Sequence, residues 1–315
     1  MPFPGLTCAR RRHQVWTVDF KGWYRTADGQ RQEPLTIREL WTRYILAIRL
    51  LPEQSDEQVR AAMTRVFREH GLPQAIRVDN GSPFSGQGAP LGLSRLSAWW
   101  VRLGIRVEFT RRARPGDNAG HEQMHGLYAR EVAAHPGAHR RSEQRRAERW
   151  RRLYNEQRPH AALGQRPPAS LYAPSKRRYE PELADCIYPE SFHVRRVRPY
   201  GDIKWQGRSR WIGRAFAREK VGLKALGTGR WLVYLGALLI GHLHAEDATG
   251  MRPALWQRSP AQGTAKPLAT GTTEPQKKPG GSPTRSRFFA PPPLRSGSAK
   301  NRETSSKGKA KVSTK

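Results

Sequence analysis

Three acidic residues carry the strongest chemical signal in this sequence. Asp19 interrupts an apolar run between Val18 and Phe20, and aspartate is disfavoured in strands. A lone buried carboxylate is costly, so Asp19 must be solvated, paired with a base or bound to a cation. Asp79 opens Asp79-Asn80-Gly81, which a tight turn explains equally well. Glu122 lies in a basic helical stretch, where a solvated surface charge is the plainest account. Singly, each proves little. Placed on separate elements of one fold, three oxygen donors suit hard divalent cations, and a two-metal site can stabilise both the attacking and the leaving oxygen of an in-line phosphoryl displacement.

The elements that must position them are legible in the pattern. A strand is expected over residues 14–23, a turn at Asp28-Gly29, and further strands over 34–39 and 44–51, forming an antiparallel meander. Ser55 and Gln58 make a capping box that opens a helix with Val59, Met63, Val66 and Phe67 on one face and Gly71 as its stop. Residues 75–78 form a short strand delivering Asp79. A Gly/Pro-rich excursion over 81–92 precedes a helix through Leu96 and Trp100 that ends at Gly104, and then a strand over 105–109. Pro115-Gly116-Asp117 breaks the chain, and Asp117 or Asn118 caps a helix with Glu122 in its early turns. Asn118 and His125 share the Glu122 face. Another helix starts at Ser142 and buries Ala147, Trp150 and Leu153. The order describes an α/β fold with a mixed sheet, and open sheets of this kind place their sites at strand ends.

Charge points to the partner. The chain carries 57 Lys and Arg against 26 Asp and Glu, a formal +31. Residues 252–315 hold fourteen basic and two acidic residues, a net +12, which leaves +19 on residues 1–251. The folded part is therefore basic in its own right, which favours a polyanion, nucleic acid before an anionic membrane surface. Two cysteines, Cys8 and Cys186, exclude a disulfide framework and fit a reducing cytoplasm. No export signal or membrane-spanning run is evident. From about Tyr188, short alternating runs such as Ile203/Trp205 and Trp231/Val233/Leu235 describe a small β-barrel or sandwich. After Ala248, a Gly/Pro/Ser/Thr/Lys-rich stretch is expected to be a disordered basic tail.

Four segments, in order, resemble a known family. Trp16-Thr17-Val18-Asp19-Phe20-Lys21-Gly22, Arg77-Val78-Asp79-Asn80-Gly81-Ser82-Pro83-Phe84, and Asn118 through Glu122 to His125 are similar to the three signature segments of insertion-sequence transposases with a retroviral-integrase-like core. Tyr154-Asn155-Glu156-Gln157-Arg158-Pro159-His160, continuing to Pro168-Ala169-Ser170-Leu171-Tyr172, resembles the motif that closes that core. The resemblance covers roughly residues 13–248. It implies an RNase H-like mixed five-stranded sheet with flanking helices, over 13–175, and a small β DNA-binding domain over 176–248, with a remnant at 1–12 and the tail at 249–315.

The same resemblance implies that Asp19, Asp79 and Glu122 are a DDE triad holding Mg2+ or Mn2+, as two ions. The reaction it implies is cleavage at a transposon end followed by attack of the freed 3′-hydroxyl on target DNA, by a homo-oligomer assembled on DNA in a bacterial, nucleoid-associated setting. Asn118, His125, Arg195, Arg196, Lys204 and Arg208 are the expected nucleic-acid contacts. Glu39 stands where the family usually has Asp, and Gln123 and Gly126 replace basic residues after Glu122. The family's upstream helix-turn-helix region is missing, so the chain reads as N-terminally truncated and is expected to bind DNA with little sequence preference.

Two rivals remain. His121-Glu122-Gln123-Met124-His125 matches H-E-x-x-H, which on a helix can hold zinc for proteolysis. No third ligand stands at a recognisable spacing, and a protease leaves Asp19, Asp79 and the basic charge unexplained. A catalytically inactive DNA-binding remnant is the stronger rival. Its binding surface would be the Arg-rich stretch 140–152, the β domain and the tail, and Trp150, Tyr154 and Trp205 either stack on bases or are buried in the core.

Overall fold

The computed structural model describes residues 5–86, 88–111 and 115–254, and the tail expected beyond residue 254 lies outside them. The first strand, β1 (Val15–Phe20), is shorter than the pattern suggests: the chain breaks at Gly22, whose φ of 92° suits glycine, and re-enters a two-residue strand, β2 (Tyr24–Arg25). β3 (Arg31–Glu39) and β4 (Ile45–Leu51) complete the antiparallel part. β5 (Ala75–Val78) and β6 (Arg106–Phe109) add parallel strands on the other side of β1. The long strands run β4-β3-β1-β5-β6, and β2 extends the sheet beside β3. This is the mixed five-stranded RNase H-like sheet that the motifs imply, with a short sixth strand.

Helices cover both faces. α1 (Asp56–His70) and α2 (Arg95–Arg102) lie on one, burying Val59, Met63, Val66, Phe67, Leu96 and Trp100 against Trp16, Val18, Ile76 and Val107. Ser55 caps α1 by accepting from the Gln58 backbone N–H, as expected. At Gly71, φ is 73° and a Cβ would lie 2.6 Å from the Arg177 carbonyl oxygen, so the helix stop also seats a later segment. α3 (Ala119–Tyr128), continued by a π-helical turn (Ala129–Ala133), and α4 (Arg140–Glu156) lie on the opposite face. There Met124, Tyr128, Ala147, Trp150 and Tyr154 pack on Ile45 and Ile48.

α4 departs from expectation twice. It begins at Arg140, because His139 is the N-cap and Ser142 is its reciprocal partner in the first turn. Leu153 is 46% exposed, since the buried stripe runs Ala147, Trp150, Tyr154 instead. α4 also seals the sheet edge. The Asn155 carboxamide accepts from Ile45 N–H at 2.9 Å and donates to its carbonyl at 2.9 Å. Gln144 treats the Leu50 N–H and Ile48 carbonyl in the same way. The closing motif then brings Tyr172 flat against Tyr44, with ring centroids 3.9 Å apart.

A separate all-β region follows. β10 (Lys220–Ala225), β11 (Arg230–Leu235) and β12 (Leu238–His244) form an antiparallel sheet flanked by β7 (Phe192–Arg196) and β13 (Arg252–Pro253). The hairpin β8 (Asp202–Trp205) with β9 (Arg208–Trp211) joins it through a bridge from Trp211 to Gly250. Ile203, Phe216, Val221, Leu223, Val233, Leu235 and Ile240 form its interior. Order continues past Ala248, where composition places the start of the tail, because Met251 is buried and Arg252–Pro253 pairs with β12. The Arg102 side chain of α2 meets Glu219 of this region at 2.7 Å.

Candidate active site and nucleic-acid surface

β1 and β5 run parallel in the register Thr17 opposite Arg77, so two residues further on Asp19 and Asp79 stand beside each other at adjacent C-terminal strand ends. Side chains alternate along a strand, so both project to the α3 face, as Thr17 and Arg77 do. Asp19 is half-buried and Asp79 is exposed. The turn reading of Asp79 is also realised, because Gly81 N–H donates to its Oδ1 at 3.1 Å. Burial, then the charge of Asp79 and, last, that of Glu122 push the Asp19 carboxyl up to about 7, partly opposed by hydrogen bonds from Phe20 N–H and Asn118.

Asn118 precedes α3 but does not cap it with its side chain; its Nδ2 instead donates to Asp19 Oδ2 at 2.9 Å. Asp117 does not cap it either, since its carboxylate is held by Arg111, which keeps it down at about 2. Glu122 is one helical turn beyond Asn118 and exposed. Arg77 is neutralised by Glu108 at 3.0 Å and also donates to the Asp117 carbonyl, fixing the entry to α3.

A buried polar network sets the height of α3 over the sheet. His121 Nε2 and His125 Nε2 lie 2.6 and 2.7 Å from Thr36 Oγ1, and the same hydroxyl contacts the Asp19 carbonyl at 3.0 Å. A carbonyl only accepts, so the single Thr36 proton goes to Asp19 and both imidazoles donate from Nε2. His121 Nδ1 is then an acceptor for the Thr17 hydroxyl at 2.8 Å. Burial holds His121 well below its ordinary value, helped by His125 and Arg38; burial, Lys21 and Arg38 take His125 down to about 4. Both rings are neutral struts. Their Nε2 atoms, which the zinc reading requires as ligands, are engaged by Thr36, and His125 carries no charge toward a phosphate. Thr17 and Thr36 are site residues that sequence reasoning misses; the available signal is a polar residue between Leu35 and Ile37.

Oxygen donors at adjacent strand ends, with one carboxyl destabilised as an anion by burial and its neighbours, fit a hard dication, whose charge would relieve that repulsion. Among the described residues no group of three His, Cys, Asp or Glu stands close enough together to hold an ion as placed. Asp19 and Asp79 are the natural pair, and Glu122 would have to reach in from α3.

The basic residues expected to meet nucleic acid are distributed over the β region. Lys204 and Arg208 are exposed on the β8–β9 hairpin. Arg195 lies over the Trp205 ring, 5.2 Å from its centroid, and Arg196 faces Asp185 at 3.6 Å. Trp205, Trp150 and Tyr154 are buried, so none is a free stacking platform. On α4, Arg141, Arg145 and Arg149 recur every fourth residue as an exposed ridge. No helix among the described residues is long and apolar enough to cross a membrane.

Comparison with known proteins agrees with this architecture. Residues 9–115 and 103–168 match two models described as integrase core domain, and residues 192–248 match the IS481 family transposase C-terminal domain. The fold is thus that of an integrase-type core. These matches make the chain similar to insertion-sequence transposases with such a core. A 31.7 kDa protein of insertion element IS407 from Burkholderia multivorans is 28% identical over 165 residues, 51% of this chain and 56% of that protein. A 39.2 kDa protein of insertion element IS476 from Xanthomonas euvesicatoria is 27% identical over 53% of this chain and 46% of its own length. The match spans about half the length of these relatives. Among solved structures, the HTLV-2 integrase catalytic core domain in complex with magnesium covers 53% of this chain and 100% of its own, at 12% identity and a TM-score of 0.40. A chain of the simian T-cell lymphotropic virus intasome in complex with PP2A regulatory subunit B56 gamma matches over 82% of this chain and 84% of its own, at 12% identity and a TM-score of 0.44.

Proposed function

We propose that the chain is a DDE polynucleotidyl transferase that cuts and joins DNA with a divalent metal, Mg2+ or Mn2+. The observation that carries the reading is the side-by-side placement of Asp19 and Asp79 at adjacent parallel strand ends, with the Asp19 carboxyl raised to about 7 by burial and by its acidic neighbours. In this reading Asp19 and Asp79 hold the metal from the sheet and Glu122 completes the set from α3. Two bound ions would supply activation of the attacking water or 3′-hydroxyl and stabilisation of the leaving oxygen. Asn118 orients Asp19 through its carboxamide, and the His121–Thr36–His125 struts set how far Glu122 stands from the strand ends. The Arg141/Arg145/Arg149 ridge and Lys204 and Arg208 take DNA backbone phosphates of transposon end and target. The active species is a homo-oligomer on DNA, working at the bacterial nucleoid.

The test is strand transfer by purified protein on a pre-cut DNA end with Mg2+ or Mn2+. Joined product from the wild type and none from Asp19→Asn is expected. DNA binding without product under either metal would instead establish the inactive remnant, the reading that the exposed, outlying Glu122 favours.

A further inference from the structure

The least ordinary group outside the carboxylate site is Arg38. It is 1% exposed, and its Nε and Nη1 have no hydrogen-bond partner among the described residues. Burial of a guanidinium without an acceptor is among the costlier arrangements in a protein. Burial pushes Arg38 down to about 10, and Arg43 acts in the same direction. Glu39 is its acidic neighbour but cannot serve it: both Glu39 oxygens are taken by His13, Trp41 and Thr42.

The unpaired nitrogens converge on one place. A Cβ at Gly120, in the first turn of α3, would lie 2.8 Å from Arg43 Nη1 and 2.9 Å from Arg38 Nη1. Gly120 and Arg43 are half-buried, so this point is reached from solvent. His160, from the motif that closes the core, has a second buried orphan, its Nε2, and it feels the charges of Arg38 and Arg43. Tyr154 packs edge-on against the His160 ring, 4.8 Å between centroids. Two guanidinium tips thus meet at the N-terminal end of a ten-residue helix, with no acid among the described residues hydrogen-bonded to either.

We propose that Arg38 and Arg43 form a built anion site beside Gly120, and that its occupant is a backbone phosphate of DNA. The anion chemistry stands on the geometry alone; assigning it to DNA rests on the function proposed above. An anion there would accept from Arg38 and Arg43 together and turn their mutual repulsion into attraction. It would also lie two residues from Glu122, so bound DNA would steady the α3 end that carries the helix-borne carboxylate.

Two measurements test this. In the first, inorganic phosphate replaces chloride at constant ionic strength while thermal unfolding is followed. Wild type should gain several degrees, and Arg43→Ala and Arg38→Met should gain none. Without phosphate, Arg38→Met should melt above wild type, because it replaces an unpaired buried charge with an apolar side chain of similar length. Gly120→Ala, which favours the helix and crowds both guanidinium tips, should also lose the phosphate response. In the second, the salt dependence of duplex binding is measured. The slope of log K against log salt should fall by about 1 in Arg43→Ala. Equal phosphate stabilisation in wild type and Arg43→Ala would overturn the site. A normal phosphate response with an unchanged DNA slope would overturn its assignment to DNA. A reduced slope in a protein that joins no DNA ends would sink the strand-transfer reading and leave this site standing.

Discussion

The two sides of the carboxylate site are built on opposite principles. On the sheet side, Asp19 and Asp79 are forced together by strand register, and Asp19 is strained as an anion. On the helix side, Glu122 is exposed, and its position is set by neutral, hydrogen-bonded struts beneath it. The sheet side stores electrostatic repulsion that a cation would release, and the Glu122 charge adds the smallest share of it. Metal binding should therefore report mainly through Asp19, and geometry mainly through Thr36.

The largest effect should come from Asp19→Asn, which we expect to reduce strand transfer by about 10³-fold or more. The same change should stabilise the metal-free fold. The Asp19 pKa is raised in the folded state, so its contribution favours folding below the unfolded value near 4 and is lost as pH rises through about 7. Asn removes that loss. The gain should be absent at pH 4 and reach about 1–2 kcal/mol at pH 8, after discounting for partial exposure, as read by urea unfolding. Mg2+ should raise the wild-type melting temperature and leave Asp19→Asn unmoved.

Glu122→Gln sharpens the contrast, because activity should fall by a similar factor while stability changes less than in Asp19→Asn, the Glu122 charge being the weakest of the causes that raise Asp19. A stabilisation equal to that of Asp19→Asn would break the comparison. Thr36→Val comes next. It orphans two buried imidazole donors and should cost about 2–4 kcal/mol in unfolding experiments. Strand transfer should fall with DNA affinity preserved, since the carboxylate on α3 is mispositioned while the basic surfaces are intact. The smallest effect is expected from Lys204→Ala with Arg208→Ala. Short-duplex joining should persist at low salt, and the salt slope of binding should drop by about 1 for each phosphate no longer neutralised.

Much of this is legible in the residues. β5 matches its expected bounds, Ser55 caps α1 and Gly71 stops it, because those signals are local. The pairing of Asp19 with Asp79 needs only strand order. What local pattern does not show is which polar side chains turn inward. Asn118 has the pattern of a cap and is a hydrogen-bond donor to Asp19; Ser142 has the pattern of a cap and is the partner of one; Leu153 sits at helical spacing for burial and faces solvent. The histidines of H-E-x-x-H read as zinc ligands from sequence, whereas Thr36, eighty-five residues from His121, is their acceptor in the fold. Arg38 carries no sequence signal, because nothing in a single chain tells a buried arginine from a solvated one.

The amide seal on β4 has a practical consequence. Asn155 and Gln144 occupy backbone groups that an outer strand would otherwise offer to any extended chain. A fragment ending before α4 would keep every sheet strand and both expected aspartates, yet present that ladder open. It should form insoluble aggregates rather than a minimal core, so a helix conspicuous for its arginines is also this fold's guard against self-association.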